Sequence, residues 1–358
     1  MQRKFMRLAG MIGLLAGLMP AAGTAAEAFR PSDRQEFPRL AGPFLGQRAS
    51  TARAELFAPG ILSAGGRETR IVFSPDGMDL LYELSAPSAK HLVATQGLFG
   101  PGFLFYSRIK DGIWTEPEEF PAPSGFRVEY PFFRPDGRAI IFNSRGPDPP
   151  SPGANPSRLW LMERTEAGWG APREVDFGPE YRGTGAVYPS LAANGNLYFA
   201  QFPDGVHGRL YISRFENGTY SPPEPLGGSF NDLDGNHPYI APDERFIIFD
   251  APGPGSSSGA NDLYVSFREE TGLWGPPRNL GSMVNTRFDE RRAFVSADGR
   301  YLFFAGDQLN RDKPDRPLTL SRLRQLADQP ADGESHIYWI DTRRLDIRIA
   351  GSFPKGGR

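Results

Sequence analysis

A hairpin-like phrase recurs five times along this chain, and a recurring unit limits the fold more tightly than any single residue does. The copies read IVFSPDGMDLLYEL (71–84), PFFRPDGRAIIFNS (131–144), PSLAANGNLYFAQF (189–202), PYIAPDERFIIFDA (238–251) and AFVSADGRYLFFAG (293–306). Each is an apolar run, a Pro-Asp-Gly-like turn and an aromatic-rich run, the pattern of two antiparallel strands joined by a tight turn. The turn anchors Pro75, Pro135, Ala193, Pro242 and Ala297 lie 60, 58, 49 and 55 residues apart. Self-similarity at such a period implies an array of equivalent units.

A second motif follows each of the first four copies. It opens with a strand-like run: LFYSR (104–108), LWLMER (159–164), LYISR (210–214) and LYVSF (263–267). After a polar turn come an aromatic, a proline and an apolar residue at three-residue steps: Trp114, Pro117, Phe120; Trp169, Pro172, Val175; Tyr220, Pro223, Leu226; Trp274, Pro277, Leu280. Proline cannot donate to a ladder and belongs on an edge strand. Each unit therefore reads as a four-stranded antiparallel sheet with its proline-bearing strand outermost. Such sheets repeated radially are propeller blades. The expectation is an all-β propeller of five blades, with six as the alternative, and blades at about 68–121, 128–176, 186–227, 235–281 and 290–351.

The fifth unit is interrupted by an insertion (307–335) that includes the helically spaced PLTLSRLRQLADQ (317–329), and it lacks the Trp-x-x-Pro strand. ELFAPGILS (55–63), ahead of the first unit, is expected to supply the missing outer strand and close the ring. The alternative is that LDIRIAG (345–351) fills that place.

At the start of the chain, Arg3, Lys4 and Arg7 precede the apolar run LAGMIGLLAGLM (8–19), Pro20 and small residues. This is the pattern of a cleavable secretory signal, too short to span a bilayer. The expected organisation is a signal peptide (1–26), an N-terminal arm (27–54) and one propeller (55–351), exported to the periplasm or exterior, with no membrane span after signal removal. The chain has no Cys, so it has neither a disulfide nor a lipid-anchoring thiol. A net charge of −2 supplies no basic excess for a nucleic-acid partner. No cofactor is expected, and a monomer is.

The turns SPDG (74–77), RPDG (134–137), APDE (241–244) and SADG (296–299), with LYVSFREETGLWGPPRNLG (263–281) and LYISRFENGTYSPPEPLG (210–227), resemble the TolB-type, WD40-like β-propeller repeats of bacterial exported proteins. The resemblance covers about residues 55 to 345. It implies the fold and a binding platform without naming a ligand. TolB also carries an N-terminal α/β domain, for which residues 30–66 leave no room.

Propeller strands run from the axis outward, so the Pro-Asp-Gly turns mark one face. The uneven loops 85–102, 145–157, 252–261 and 307–335 fall on the other, as expected of a binding surface on a rigid scaffold. That face also holds the starts of the innermost strands. Counting back from the turns places Arg70, Tyr130, Tyr188, His237 and Arg292 in one ring. Thr69, Glu129, Val187, Asn236 and Arg291 form the next, flanked by Glu68 and Glu290. Convergent polar and aromatic groups at a channel mouth are a ligand-site pattern. The leading expectation is non-catalytic recognition of a protein, peptide or glycan of the cell envelope through Arg70, Glu129, Tyr130, Tyr188, Asn236, His237, Glu290, Arg291 and Arg292. The alternatives are a glycoside hydrolase or lyase using Glu129, Glu290 and His237, a purely structural envelope component, or a sealed mouth whose groups satisfy one another. No zinc spacing links His91, His207, His237 and His336. GSSSG (255–259) matches a nucleophile elbow in letters only, since it sits in a Gly/Ser/Pro-rich loop. NDLDGN (231–236) has the composition of a calcium loop without its downstream Glu and reads as an Asx-rich turn.

Overall fold

The computed structural model describes residues 37–48, 53–62, 67–85, 102–147, 157–181, 184–227, 229–253, 261–307 and 335–345. Residues 1–36, most of each uneven loop, His91, GSSSG, the 317–329 run and residues 346–351 lie outside the described residues. The contacts below fall within one compact unit, Arg39–Arg358.

Five antiparallel sheets follow the five repeats. Blade one pairs Arg67–Phe73, Asp79–Ser85, Gly102–Lys110 and Glu118–Glu119. Blade two pairs Glu129–Phe133, Ala139–Ser144, Arg158–Thr165 and Arg173–Glu174. Blade three uses Val187–Leu191, Leu197–Gln201, Arg209–Ser213 and Glu224–Pro225. Blade four uses Asn236–Ile240, Phe246–Pro252, Asn261–Phe267 and Arg278–Asn279. In blades one to four the outermost strand starts directly after its motif proline, Pro117, Pro172, Pro223 or Pro277, as the missing N–H requires.

Blade five contributes Glu290–Val295, Tyr301–Gly306 and His336–Asp341, and its outer strand is Glu55–Leu56, paired to Trp339 and Tyr338. The ring is therefore closed by the N-terminal strand. Phe57, fully buried, fixes that strand with centroid distances of 5.2 Å to Phe303 and 5.0 Å to Trp339. A chain without cysteine thereby joins the first and last strands of its propeller through one sheet.

The repeated turn has one backbone requirement. Its fourth residue donates to the first and takes a left-handed conformation: Gly77, Gly137, Gly195 and Gly299 at φ 70°, 73°, 92° and 70°. Glycine meets this without a Cβ penalty. In blade four the position is Glu244 at φ 59°. Its buried carboxylate accepts from Asn194, Asn196, Tyr198 and Arg268 at 2.7–3.0 Å, which offsets the strain and ties blade three to blade four.

The segment before the propeller does more than hang as an arm. Leu40 and Gly42 carbonyls accept from Trp114 N and Nε1, and Phe44 packs 5.1 Å from both Phe73 and Tyr301. It thus lies over the turn side of blades one and five. Among the described residues, no helix is long and apolar enough to cross a membrane.

Candidate functional site

Every innermost strand carries a one-residue bulge, at the same level in blades two to five and one residue earlier in blade one. Between Glu129 and Phe132 the strand advances three residues while its partner advances two, and the same slip occurs at Val187/Ser190, Asn236/Tyr239 and Arg291/Phe294. In blade one it lies between Glu68 and Arg70. At the bulges of blades two to five the residues Tyr130, Tyr188, His237 and Arg292 adopt φ of 51°, 60°, 42° and 60°. Large side chains in this region cost on the order of 1–3 kcal/mol each and persist only where the surroundings over-determine them.

Those surroundings come from the preceding blade. The eighth residue after each turn anchor is Glu83, Asn143, Gln201, Asp250 and Ala305. Glu83 accepts from Tyr130 N, Asn143 Oδ1 from Tyr188 N at 3.3 Å, and Asp250 Oδ1 from Arg292 N at 3.0 Å. Three of the four bulge amides are thus satisfied by a side chain one blade back; at His237 the equivalent residue, Gln201, donates to Thr184 Oγ1 at 3.0 Å instead. Blade five offers only Ala305 to blade one, and Arg70 is the ring member that keeps an ordinary backbone.

The ring is a connected cluster. Tyr188 stands 4.4 Å from Tyr130 and 3.9 Å from His237 by ring centroids, and Tyr130 is 5.5 Å from His237. Arg292 lies over the Tyr130 ring at 5.2 Å and donates from Nη2 to its hydroxyl at 2.8 Å and from Nη1 to the Thr69 carbonyl at 3.2 Å. His237 Nδ1 lies 3.0 Å from both oxygens of Asp250. Burial pulls the His237 pKa down to about 4, against the opposing pull of Asp250. The imidazole is therefore neutral at physiological pH. An ionised Asp250 only accepts, which puts the ring proton on Nδ1 and leaves Nε2 a bare acceptor. Among the described residues, that Nε2 and the Arg292 Nε are buried without a partner.

Beneath the ring the axis is filled. Phe132, Tyr239 and Phe294, two residues further along their strands, touch one another at 5.9–6.5 Å. The mouth therefore rests on three aromatic rings packed together from blades two, four and five.

Of the sequence-predicted residues, Arg70, Tyr130, Tyr188, His237 and Arg292 converge. The second ring sits higher and is half-buried at Thr69, Glu129, Asn236 and Arg291. Thr69 donates to Glu83; Glu129 accepts from Arg127 at 2.9 Å and Asn143 at 3.2 Å; Arg291 faces Asp289 and Asp307. Burial raises the Glu129 pKa above the usual carboxylate value. Asn236 packs against Gly208, where a Cβ would lie 2.4 Å from its Oδ1. Glu290 departs from its expected place. It is fully buried and accepts from Thr286 Oγ1 at 2.5 Å and Thr286 N at 2.9 Å. Glu68 is likewise withdrawn into a buried contact with His336 Nδ1 at 2.6 Å, bridging blade one to blade five. In the 231–236 turn, Asn231 accepts from Leu210 N and Asn236 donates to the Asp234 carbonyl.

Glu83, Asn143 and Asp250 were not singled out from sequence, although polar residues recurring at one position of an otherwise apolar strand were a usable signal. The turn face is also less plain than its regular turns suggest. A cavity of about 790 Å³ opens there between Phe44, Arg48, Asp76, Asp298, Arg300 and Tyr301.

No family model matches the chain, and no curated protein does. Among solved structures it is similar to a TolB-like protein from Agrobacterium tumefaciens (15% identity over 77% of this chain and 90% of that one, TM-score 0.43). It is also similar to an endo-arabinase from Bacteroides thetaiotaomicron (14%, 80% and 97%, TM-score 0.48) and to the catalytic domain of a Coprinopsis cinerea α-L-arabinofuranosidase (14%, 87% and 98%, TM-score 0.44). All three TM-scores lie below 0.5, so the five-bladed assignment rests on the sheets of this chain itself.

Proposed function

We propose that this protein is an exported, non-catalytic binding module that holds a protein, peptide or glycan of the cell envelope at the looped mouth of its propeller. One observation carries the reading: four successive inner strands hold Tyr130, Tyr188, His237 and Arg292 in left-handed backbone, three of them by side chains of the blade before. A scaffold that needed only closure would be expected to use glycine there. Strain maintained under large polar and aromatic side chains is characteristic of a site shaped before its ligand arrives. The Arg/Lys-flanked apolar run at 8–19 and the absence of Cys support export to the periplasm or exterior. The carboxylate-pair reading, a glycosidase using Glu129 and Glu290, is weakened by the burial of Glu290 on Thr286.

The test is a thermal-shift series with envelope glycans and peptides on wild type and Tyr188→Ala. A ligand at a hundred times its Kd stabilises by about 2.7 kcal/mol, a shift of several degrees. A ligand that stabilises both proteins equally refutes the mouth site, and consumption of a glycan during incubation refutes the non-catalytic assignment. Recovery of the intact chain from the cytoplasm, still beginning at Met1, refutes export.

A further inference from the structure

We infer that the ligand carries a carboxylate, gripped by the Arg70 guanidinium with Arg292 Nε as a neighbouring donor. The inference rests on the mouth being the binding site and names the ligand chemistry that site would select.

It follows from counting hydrogen-bond donors and acceptors. Arg70 is 3% exposed. Its Nε donates to the Pro131 carbonyl at 3.2 Å. Among the described residues nothing accepts from its Nη1 or Nη2, and no carboxylate lies within ion-pair distance of it. The fixed carboxylates of the mouth are already engaged. Glu83 accepts from Tyr130 N and Thr69 Oγ1, and Asp250 from His237 Nδ1 and Arg292 N. Arg292 uses Nη1 and Nη2 on Thr69 and Tyr130 while its buried Nε has no partner. Among the described residues the open acceptors of the mouth are His237 Nε2 in the inner ring and Asn236 Oδ1 in the outer one. The inner ring therefore has more open N–H donors than open acceptors.

A guanidinium withdrawn from water without a paired anion is costly. Burial draws Arg70 down to about 10 against the opposing pull of Glu83, whose oxygens are held by Tyr130 N and Thr69, and the positive charge of Arg292 adds to the lowering. A carboxylate presents two oxygens in the plane that the two Nη groups of an arginine match, and charge-assisted bonds of this kind are the strong ones. A hydroxyl or N–H beside that carboxylate would meet His237 Nε2. Two sources offer this chemistry, a peptide C-terminus and a uronic-acid unit of a glycan.

The experiment is calorimetry on the mature protein with two matched series. One is short peptides with free C-terminal carboxylates against their C-terminal amides. The other is uronic-acid oligosaccharides against their methyl esters. In one series the free acid is expected to bind about 10- to 100-fold more tightly than its neutral match. Arg70→Gln is expected to erase that difference and Arg70→Lys to keep part of it. The series that responds assigns the source. Equal affinity of acid and neutral forms overturns the inference, as does absence of binding in both series. The wild-type comparison stands even where an Arg70 variant fails to fold. A neutral compound that binds wild type and is lost in Tyr188→Ala overturns the carboxylate while leaving the mouth in place. Binding that survives Tyr188→Ala unchanged removes both.

Discussion

Replacing Asp250 by Asn tests the hydrogen-bond logic of the mouth at one side chain. Asp250 is 1% exposed and accepts from His237 Nδ1 and from Arg292 N, all at 3.0 Å. Asparagine offers one acceptor and one donor group in the same volume. The Arg292 amide still needs the acceptor, because it is fixed in the bulge. The Asn amide N–H must then face His237 Nδ1, and the imidazole proton moves to Nε2. Nitrogen-15 spectra of the histidines near pH 7 are expected to show His237 protonated on Nδ1 in wild type and on Nε2 in the variant. Exchange of charge-assisted for neutral bonds lowers stability by about 1–3 kcal/mol in urea denaturation.

The pH dependence has a defined sign. The unfolded imidazole titrates near the ordinary 6.5 and the folded one at about 4. Above pH 6.5 neither state is protonated and stability is unaffected. Between pH 6.5 and about 4 the unfolded state takes up a proton that the folded state refuses, so stability is lost by up to about 3 kcal/mol. Asp250 favours the charged ring, so removing its charge pushes the folded pKa lower, and in the variant the loss continues below pH 4. A wild-type His237 protonated on both nitrogens at pH 6, or a variant that keeps the proton on Nδ1, would refute the reasoning.

Three further outcomes follow from the packing. Phe57→Ala, which empties a fully buried site under the closing strand, is expected to cost about 3–5 kcal/mol in chemical denaturation; a loss below about 1 kcal/mol would mean the N-terminal strand does not hold the ring shut. Glu244→Gly relieves a φ of 59° but strands the bonds from Asn194, Asn196, Tyr198 and Arg268, and a net loss of about 1–3 kcal/mol is expected; a stabilised variant would show that strain outweighs the network. Glu129→Gln removes a half-exposed pair with Arg127 and is expected to change the urea midpoint by no more than about 1 kcal/mol of stability.

The fold was legible because hairpins and edge prolines are local signals. Each Pro-Asp-Gly turn and Trp-x-x-Pro run states its own geometry within fifteen residues or so, and five repetitions remove the ambiguity of any one. Closure by Glu55–Leu56 was readable for a related reason: blade five lacked an outer strand and a spare one stood before blade one. The contact between Glu68 and His336 was not readable, because residues 268 apart leave no local trace of their pairing.

The site divides along the same line. Counting back from the turn placed Tyr130, Tyr188, His237 and Arg292 correctly, since a fixed distance from a rigid turn survives any irregularity further along. Counting one or two residues more failed at Glu290, because a bulge inserts one residue and breaks the two-residue alternation of a strand. Residues before the bulge then take the parity opposite to the one that the regular pattern assigns. Glu290, expected beside Arg292 at the mouth, is turned onto Thr286 instead. The bulge itself has a signature in a different strand, the polar residue eight positions after the turn anchor in the blade before. Where that residue is Glu83, Asn143 or Asp250, the next blade holds a left-handed ring residue; where it is Ala305, the next blade holds Arg70 in ordinary backbone. At three of the five joints the mouth is thus set pairwise, between the second strand of one blade and the first strand of the next; at the fourth, His237 is left-handed beside Gln201, which donates to Thr184 instead.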